Sequence, residues 1–528
     1  MINHSSISRS VYDPYDFGAK GDGTNIDTKS IQAAIDACYS NGGGKVYLHS
    51  GTFISGTILL KSNVNLYVET GTTLKASDNL DDFPIMSSNY PSYDGSFVTN
   101  KMLIYAEDAK NISISGRGTI DGNGDCWVKG PYGSPSMILR PRIIHFRGCR
   151  NVFVQDVILY NSASWVQSYQ CCYNLVVDGI TVDSRPNKDI EKERFAEVKG
   201  RNTDGLDLLD CEKVRISNCF ISSGDDGICI KSLSPDKFCR DITISNCIVS
   251  TNASGIKIGT ETSGKITDIL VNNCTVYDTR NEAISLMTID GAQLERIQFS
   301  NISCRNIKGS AIYIRTGERF RSYRKQTKPN IPHLKDIIIE NVTGTKISKG
   351  YACIVAGTKD FPVENVLITN INLQFEGGGK ADASFRDIPE NENKYPNGRI
   401  FGELPAYGFF VRHAKNVIFD DIQLKTSLPD ERPAFIGEDI TDLEIRNLQA
   451  QGTENSPELI RLKDVRQVLI SGCRPLQPMM VFLSVYGDCS DDIILLNNRL
   501  KNTKKSIEIK NGNEKLNIEE LNTINKSL

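Results

Sequence analysis

Two short stretches decide the fold, VRISN at residues 214–218 and ITISN at residues 242–246. In each stretch two aliphatic side chains alternate with two polar ones, and an asparagine follows. Alternation with a period of two is typical of a β-strand that buries one face. Asparagine tolerates the left-handed backbone of a tight turn. Each stretch therefore predicts a short strand followed by a turn.

The same pattern recurs along most of the chain from about residue 110, at steps of roughly 22–30 residues, with no long helical pattern between the copies. Short strands at this spacing predict an all-β fold, a right-handed parallel β-helix whose coils stack about 4.8 Å apart. We expect the turn asparagines to form a ladder between coils, and the cysteines after them, such as Cys219 and Cys247, to be buried and structural. The copies lie at 112–116, 152–156, 175–179, 214–218, 242–246, 269–273, 297–301, 337–341, 366–370, 417–421, 443–447, 468–472 and 493–497.

An amphipathic helix is predicted before the repeats. Ile31, Ala34, Ile35 and Cys38 share one helical face, and Asp27 precedes them as the expected N-cap. Such a helix would cover strand edges at the open end of the solenoid. We expect an N-terminal cap and first coils in residues 1–80, the β-helix domain in 81–500 and a C-terminal cap or tail in 501–528.

Composition limits the functional class. The chain has 528 residues and a net charge of −3, which gives no overall signal for nucleic-acid binding. No apolar run reaches the ~18 residues of a membrane span. Fifteen cysteines without paired CxxC spacing, and five scattered histidines, predict neither a zinc site nor a disulfide framework. The first residues lack the pattern of a signal peptide, so the chain is either intracellular or lacks a leader in this numbering.

Three carboxylates lie where turns enter strands. Asp204, Asp225 and Asp226 each stand beside a glycine, directly before the alternating stretches at 206–208 and 228–231. A single Asp-Gly pair is usually just a turn. Asp204 and Asp225, however, are about one coil apart, which places them on adjacent rungs of one face. Close carboxylates shift each other's pKa, and a protonated and an ionised acid are what glycoside hydrolysis requires.

The stretches NTDG at 202–205 and GDD at 224–226 resemble the signature of family 28 of the glycoside hydrolases, the polygalacturonases and their relatives that act on pectin. FGAKGDG at 17–23, TIDGNG at 119–124 and NSASW at 161–165 are also similar to that family, so the resemblance covers most of the chain. It implies a right-handed parallel β-helix and inversion of anomeric configuration, with no metal and no cofactor.

The same resemblance implies roles for individual residues. Asp225 would be the general acid, while Asp204 and Asp226 would hold and deprotonate the attacking water. An inverting pair should stand ~6.5–9.5 Å apart to accommodate that water. From the same stretches we expect Asn202 and Lys231 to bind substrate.

The chain departs from the family in two motifs. It reads ASG at 253–255 where the family usually has Gly-His-Gly, and SLM at 285–287 where the family has Arg-Ile-Lys. Rhamnogalacturonan hydrolases of the family also lack the histidine, so they remain an alternative. We expect Ser254 to stand in the histidine position. Strand alternation points Lys257 and Arg315 outward beside the vacated positions, where they are expected to bind a substrate carboxylate.

Two insertions are expected to form the walls of a cleft. One, at 317–335, is basic, and such a run is either a solvated surface or a means of steering an acidic polymer. Its cations are Arg319, Arg321, Arg324, Lys325 and Lys328. The other, at about 376–407, contains three consecutive glycines and several prolines. Walls that close one end of a groove favour attack at chain ends, so exo action is one expectation.

Other functions stay open. A calcium-dependent polysaccharide lyase would use Asp225 and Asp226 as calcium ligands and Lys231 or Lys257 as base. A non-catalytic carbohydrate-binding β-helix would bind without releasing reducing ends. For the hydrolase, we expect a monomer that takes an acidic plant cell-wall polysaccharide or oligosaccharide, with no nucleic-acid or membrane partner. The family resemblance implies a secreted or periplasmic location.

Overall fold

The structure, a computed structural model, describes residues 10–90, 100–127, 139–186, 202–321, 329–510 and 516–521. The chain divides into two compact units, unit 1 up to Asn252 and unit 2 from Ala253 onward. Within each unit the strands of successive coils pair in parallel. The predicted fold class, a right-handed parallel β-helix with an N-terminal helix, is confirmed.

The described residues of unit 1 contain one α-helix, α1 at Thr28–Ser40, and the strands β1 to β22. The strands are β1 Val11–Tyr12, β2 Asp22–Ile26, β3 Gly44–Leu48, β4 Thr52–Ser55, β5 Ile58–Leu59, β6 Val64–Val68, β7 Thr73–Ala76, β8 Met102–Glu107, β9 Lys110–Gly116, β10 Thr119–Asp121, β11 Arg142–Arg147, β12 Arg150–Gln155, β13 Ile158–Tyr160, β14 Gln167–Gln170, β15 Tyr173–Asp178, β16 Thr181–Ser184, β17 Leu206–Leu209, β18 Glu212–Ser217, β19 Phe220–Ser223, β20 Ile228–Ser232, β21 Phe238–Ser245 and β22 Ile248–Thr251.

Each coil of unit 1 contributes three strands, and each strand pairs with the third one after it along the chain. This pairing holds from β3 through β19, whereas β1 pairs with β3 and β2 with β4, and it produces three parallel sheets. Sheet A consists of β5, β8, β11, β14, β17 and β20. Sheet B consists of β3, β6, β9, β12, β15, β18 and β21. Sheet C consists of β4, β7, β10, β13, β16, β19 and β22.

Stacked aliphatic side chains fill the interior of unit 1. Ile114, Val154, Val177, Ile216 and Ile244 lie opposite one another on consecutive strands of sheet B and are almost completely buried. Burying one such side chain contributes roughly 1.5–3 kcal/mol. A register shift of one residue would turn the whole stack toward solvent, so the alternation seen in the sequence also fixes the register.

Helix α1 buries the face that its sequence predicts, Ile31, Ala34, Ile35 and Cys38. Asp27 occupies the N-cap position, as predicted, but its side chain makes no capping hydrogen bond to the helix. The Asp27 carboxylate instead accepts hydrogen bonds from the backbone N–H groups of Lys20, at 2.6 Å, and Gly21, at 3.0 Å. None of the helices in the described part of the chain has the length and apolar character of a membrane span.

The predicted asparagine ladder is present. Asn246 Nδ2 donates to Asn218 Oδ1 at 3.3 Å in unit 1, and in unit 2 Asn370, Asn341 and Asn301 are linked in the same way at 2.7 and 3.0 Å. All five have a left-handed backbone, with φ between 51° and 57°. Each asparagine therefore links its coil to the next one by a side-chain hydrogen bond. It does so at a turn whose left-handed backbone most other L-residues adopt only with strain.

The cysteines are free and structural. All fifteen lack a disulfide partner, and most are buried. The thiols of Cys219 and Cys247 donate to the carbonyl oxygens of Ser217 and Ser245, at 3.1 and 3.3 Å. These contacts confirm the prediction that the cysteines after the turn residues pack as small buried groups.

Unit 2 contains the strands β23 to β39. They are β23 Ile256–Thr262, β24 Lys265–Thr279, β25 Ile284–Thr288, β26 Gln293–Ile307, β27 Ile312–Thr316, β28 His333–Ile347, β29 Cys353–Ala356, β30 Val363–Gly377, β31 Phe409–Leu428, β32 Phe435–Arg446, β33 Gln449–Ala450, β34 Ile460–Ser471, β35 Arg474–Pro475, β36 Met479–Tyr486, β37 Asp491–Leu496, β38 Thr503–Ile509 and β39 Ile518–Leu521. Because β38 and β39 pair in parallel with β36 and β37, regular strands continue past residue 501. The division into 1–80, 81–500 and 501–528 stays a prediction.

The insertion at 376–407 packs onto unit 2. Its residues Ile388, Phe401 and Leu404 share one buried cluster with Met287 of β25 and Tyr313 of β27. Strand alternation correctly predicts that Met287 and Tyr313 lie on the outer side of their strands. The insertion covers that side, so neither side chain is exposed to solvent.

Only part of the basic insertion at 317–335 lies within the described residues. Arg319 pairs with the buried Asp290 through Nε and Oδ1 at 2.9 Å, and the Arg321 backbone N–H donates to the same carboxylate at 2.8 Å. Arg319 therefore has a structural partner in unit 2. Arg324, Lys325 and Lys328 lie outside the described residues, so their proposed role in steering stays a prediction.

Candidate active site

The turn at 202–205 leads into β17 and carries Asp204. The backbone of Asn202 is left-handed, with φ 55°. The Gly205 N–H donates a hydrogen bond to the Asp226 carbonyl oxygen at 2.9 Å. A Cβ at Gly205 would lie 2.6 Å from the Gly227 carbonyl oxygen, closer than real contacts allow. Only glycine therefore allows the two consecutive coils that carry Asp204 and Asp226 to approach this closely.

Backbone donors hold the Asp225 carboxylate. Its Oδ2 accepts from the Asn202 N–H and its Oδ1 from the Asp226 N–H, both at 3.0 Å. Ser223 Oγ donates to the carbonyls of Asp225 and Asp226, at 2.7 and 3.1 Å. The structure thus brings Asp204, Asp225 and Asp226 together on consecutive coils. Asp225 is half-buried, whereas the other two acids are buried.

Lys231 is buried between two carboxylates. Its Nζ lies 3.5 Å from Asp204 Oδ2 and 3.2 Å from Asp207 Oδ1. Asp207 is fully buried, and in the described part of the chain neither of its oxygens accepts a hydrogen bond of normal geometry. Its contact with Lys231 is therefore an ion pair rather than an aligned hydrogen bond. Asp207 was not predicted as a site residue, although its alternation with Leu206 and Leu208 places it on the same outer face.

The aromatic ring of Trp165 contacts two cations beside these acids. The Trp165 ring has Lys231 Nζ 4.5 Å and the Arg142 guanidinium carbon 4.7 Å from its centroid, both within cation–π range. Arg142 Nη1 also donates to Ser168 Oγ at 2.9 Å and to His145 Nδ1 at 3.1 Å. Trp165 entered the sequence analysis only through the family resemblance. Arg142 lies outside every quoted motif and was missed.

The site retains protons. Burial, together with the charges of Asp207 and Asp225, raises the pKa of Asp204 well above its usual value, although Lys231 opposes this. Burial raises the pKa of Asp207 to about 6, again against Lys231. Two carboxylates that share one ammonium group therefore hold a proton at mildly acidic pH, as interacting acids do.

A cation could in principle replace the ammonium group. Among the described residues, oxygens of Asp204 and Asp207 and the thiol of Cys229 lie within 4.8 Å of one another. Lys231 already lies against both carboxylates, and burial raises the pKa of Cys229 well above that of a free thiol. A metal would have to displace Lys231 and deprotonate a buried thiol, so this donor set fits an internal counter-ion better than a metal.

The three expected substrate-binding residues of unit 2 are all buried. Ser254 Oγ donates to Glu282 Oε2 at 2.9 Å, and Glu282 Oε1 accepts from the Gly398 N–H at 2.8 Å. Lys257 Nζ lies 5.8 Å from the ring centroid of Tyr395. Gly398 and Tyr395 both belong to the insertion at 376–407, so the insertion reaches the surroundings of Ser254 and Lys257.

Arg315 differs from its expected open position. Its Nη1 donates to the Gly357 carbonyl at 2.9 Å and its Nη2 to the Glu390 carbonyl at 2.7 Å, and it is 1% exposed. The expectation of an accessible guanidinium is wrong, because Glu390 and the rest of the insertion cover it. Whether Arg315 also contacts substrate stays a prediction.

The profile of "Glycosyl hydrolases family 28" matches residues 49–393, well over half of the chain. The chain belongs to glycosyl hydrolase family 28. This membership agrees with the resemblance of the NTDG and GDD stretches, and it places the acid cluster of unit 1 inside the part of the chain that the family profile matches.

Individual relatives point to the same family 28 enzymes. A probable polygalacturonase of Vitis vinifera is 30% identical over 44% of this chain and 46% of its own length. Polygalacturonase-2 of Solanum lycopersicum is 25% identical over 72% of this chain and 78% of its own length. The chain spans less than half the length of several other curated relatives that it matches. The exopolygalacturonase of Thermotoga maritima has a similar fold, with a TM-score of 0.61 at 21% identity over 79% of this chain and 91% of that one.

Proposed function

We propose that this family 28 protein is an inverting glycoside hydrolase that cleaves pectic polysaccharides or oligosaccharides. The observation that carries the proposal is the acid cluster of unit 1, in which burial and neighbouring acids raise the pKa of Asp204 well above its usual value while two backbone N–H groups donate to Asp225. One protonated and one ionised carboxyl group are the equipment of glycosidic bond hydrolysis. The names of the relatives support a galacturonate-containing substrate.

In the proposed mechanism Asp225 protonates the leaving oxygen, and Asp204 and Asp226 hold and deprotonate the water. Asp225 is the most exposed of the three acids, which suits a group that must reach the glycosidic oxygen. Two backbone N–H groups hold the Asp225 carboxyl group in place, and burial raises the pKa of the neighbouring Asp204. The mechanism requires a proton on Asp225 and an ionised carboxylate beside the water when the bond breaks.

Leaving-group dependence tests these roles. An aryl galacturonide with an acidic phenol needs little protonation, whereas a galacturonate oligosaccharide needs full acid assistance. We expect the activity of D225N to fall ~10²–10⁴-fold on the oligosaccharide and much less on the aryl substrate. D204N should lose activity on both substrates. D241N, at an exposed position of unit 1, is the matched control and should behave as wild type. The opposite pattern, with D204N rescued by the aryl group, would assign the acid to Asp204.

The covered face of unit 2 supports exo action. The 376–407 insertion buries the outer side of β25 and β27, so an extended polymer has no open path along that face. Chain-end attack predicts release of small products with a slow fall in viscosity. A rapid fall in viscosity at low conversion would show endo action instead. Products that absorb in the ultraviolet and loss of activity with a chelator would indicate the lyase alternative.

The remaining predicted site residues are proposed to bind the substrate. Asn202 lies within the acid cluster of unit 1 and is proposed to contact the sugar that is cleaved. Lys231 is buried there, so its proposed part in substrate binding is indirect, through Asp204. Lys257 is proposed to bind a uronate in unit 2. Since pectic polymers lie in plant cell walls, we propose a secreted or periplasmic location, which fractionation of the native producer would test.

A further inference from the structure

Asp207 is a buried carboxylate that the proposed mechanism does not use. It lies on β17, one strand position beyond Leu206 and three residues after Asp204. It is 0% exposed, and in the described part of the chain Lys231 is the cation that lies against it. Burying a carboxylate without hydrogen bonds is costly. Such a group beside a candidate active site indicates a functional reason for its retention.

The ammonium group of Lys231 lies between the carboxylates of Asp204 and Asp207. Its Nζ is 3.2 Å from Asp207 Oδ1 and 3.5 Å from Asp204 Oδ2, and the Trp165 ring lies on a third side, 4.5 Å away. One ammonium group therefore serves two carboxylates. Any strengthening of one ion pair weakens the other, because the aromatic ring and the burial of the side chain leave Lys231 little room to move.

We propose that Asp207 is a positioning residue: by competing with Asp204 for the single ammonium group of Lys231, it leaves Asp204 a stronger base toward the attacking water. This inference rests on the proposed function. In that reaction a water O–H bond breaks and its proton goes to Asp204, while the water oxygen bonds to the anomeric carbon. The leaving oxygen takes a proton from Asp225 as the glycosidic bond breaks.

The other charges around the pair act in known directions. Asp225 and Asp226 are further negative neighbours that raise the pKa of Asp204, and Arg142 on β11 opposes the effect of burial on the pKa of Asp207. Burial and the nearby arginines lower the pKa of His145 well below its usual value, so His145 on β11 adds no charge. The Cys229 thiol on β20 also adds none, since burial raises its pKa. Lys231 and Asp207 thus remain the two opposed charges next to Asp204 that single substitutions can separate.

Two substitutions should have opposite effects. D207N removes the negative charge that competes for Lys231 and that itself raises the pKa of Asp204, so the pKa of Asp204 falls. The acid limb of the kcat/KM profile should move to lower pH by about one unit or more, and the plateau should fall by up to about tenfold because the base is weaker. K231M removes the shared cation and should move the acid limb to higher pH. D210N, which removes another buried acid from the same coil, one that is bonded to Ser232 Oγ rather than paired with Lys231, should leave the limb in place.

The same shifts should be visible without substrate. In ¹³C carboxyl NMR, the titration of Asp204 should move to lower pH in D207N and to higher pH in K231M. An unchanged Asp204 titration in either variant, or a shift in the same direction in both, overturns the inference. If D207N does not fold, D207L, which removes the same charge, is titrated in its place by the same criterion. An absence of reducing ends from every pectic substrate would refute the proposed function instead, and the NMR titration still decides the role of Asp207.

Discussion

Replacing Asp210 by asparagine should make the stability of this chain less dependent on pH. Asp210 lies just after β17, and burial raises its pKa to about 7 from an ordinary value of 3.8, even though Ser232 and Leu233 donate hydrogen bonds to it. An asparagine would keep these contacts, because its Oδ1 accepts from the Leu233 N–H and its Nδ2 donates to Ser232 Oγ.

The size of the effect follows from linkage. Between pH 4 and pH 7 the unfolded chain has released the Asp210 proton while the folded chain still binds it, so this group lowers stability as the pH rises. A difference of roughly three pKa units corresponds to about 4 kcal/mol at pH 8, and less than about 1 kcal/mol at pH 4. D210N should therefore gain about 3–4 kcal/mol over wild type between pH 4 and pH 8. That gain is large beside the usual 5–15 kcal/mol stability of a folded protein.

Guanidinium unfolding followed by circular dichroism at both pH values measures this gain, with midpoints compared between wild type and variant. D178N provides a control of opposite sign. Hydrogen bonds from Ser217 and Asn218 lower the pKa of Asp178, so its contribution is present at neutral pH and lost as the pH falls through the folded pKa. D178N should be the less stable protein at pH 8 and approach wild type in acid. Parallel pH curves for wild type and D210N would refute the reasoning.

Three further substitutions test the site. D225N should lose ~10²–10⁴-fold in kcat on a galacturonate oligosaccharide, and near-normal turnover would remove Asp225 from the acid role. Its stability should fall by about 1 kcal/mol, because the amide nitrogen cannot accept one of the two backbone N–H bonds. S254A should lose less than about tenfold in activity and about 1 kcal/mol in stability, because Glu282 keeps its bond from the Gly398 N–H; a collapse of activity would mean that the hydroxyl contacts substrate. In K257M, the stabilisation of the transition state should fall by ~1.5–3 kcal/mol more with an acidic substrate than with its reduced, neutral counterpart. Equal losses with the two substrates would exclude Lys257 from uronate binding. R315M should lose equal activity on both substrates, because Arg315 donates hydrogen bonds to the carbonyl oxygens of Gly357 and Glu390. A loss of activity confined to the acidic substrate would show that Arg315 binds the uronate.

Local alternation predicts the coils well. In a solenoid, the side of a strand on which a residue lies depends only on the period of two, so the buried stack through Ile216 and Ile244 follows directly from the sequence. The asparagine ladder follows for the same reason, since Asn218 and Asn246 occupy equivalent positions one coil apart. The spacing of Asp204 and Asp225 by about one coil likewise predicts that consecutive coils carry them.

Contacts between segments distant in sequence are not predicted by this pattern. Alternation places Tyr313 and Arg315 on the outer side of β27, but it does not show that the 376–407 insertion covers them. That insertion has no periodicity, and its position depends on tertiary packing alone. The same limit applies to Asp207, whose outer position was evident but whose ion pair with Lys231 depends on the register between β17 and β20. Asp27 is the predicted N-cap residue, but the sequence pattern does not show that its carboxylate accepts from the backbone N–H groups of Lys20 and Gly21.

The anomeric configuration of the first product tests the central claim most directly. Wild-type protein should be mixed with a galacturonate oligosaccharide, and the anomeric protons followed by NMR before mutarotation. Inverting hydrolysis predicts that the new reducing end appears first as the anomer opposite to the cleaved linkage, at a rate that D225N lowers by at least about a hundredfold. A product that retains the configuration of the cleaved linkage, or an unsaturated sugar with no new anomeric water-derived hydroxyl, would contradict the account.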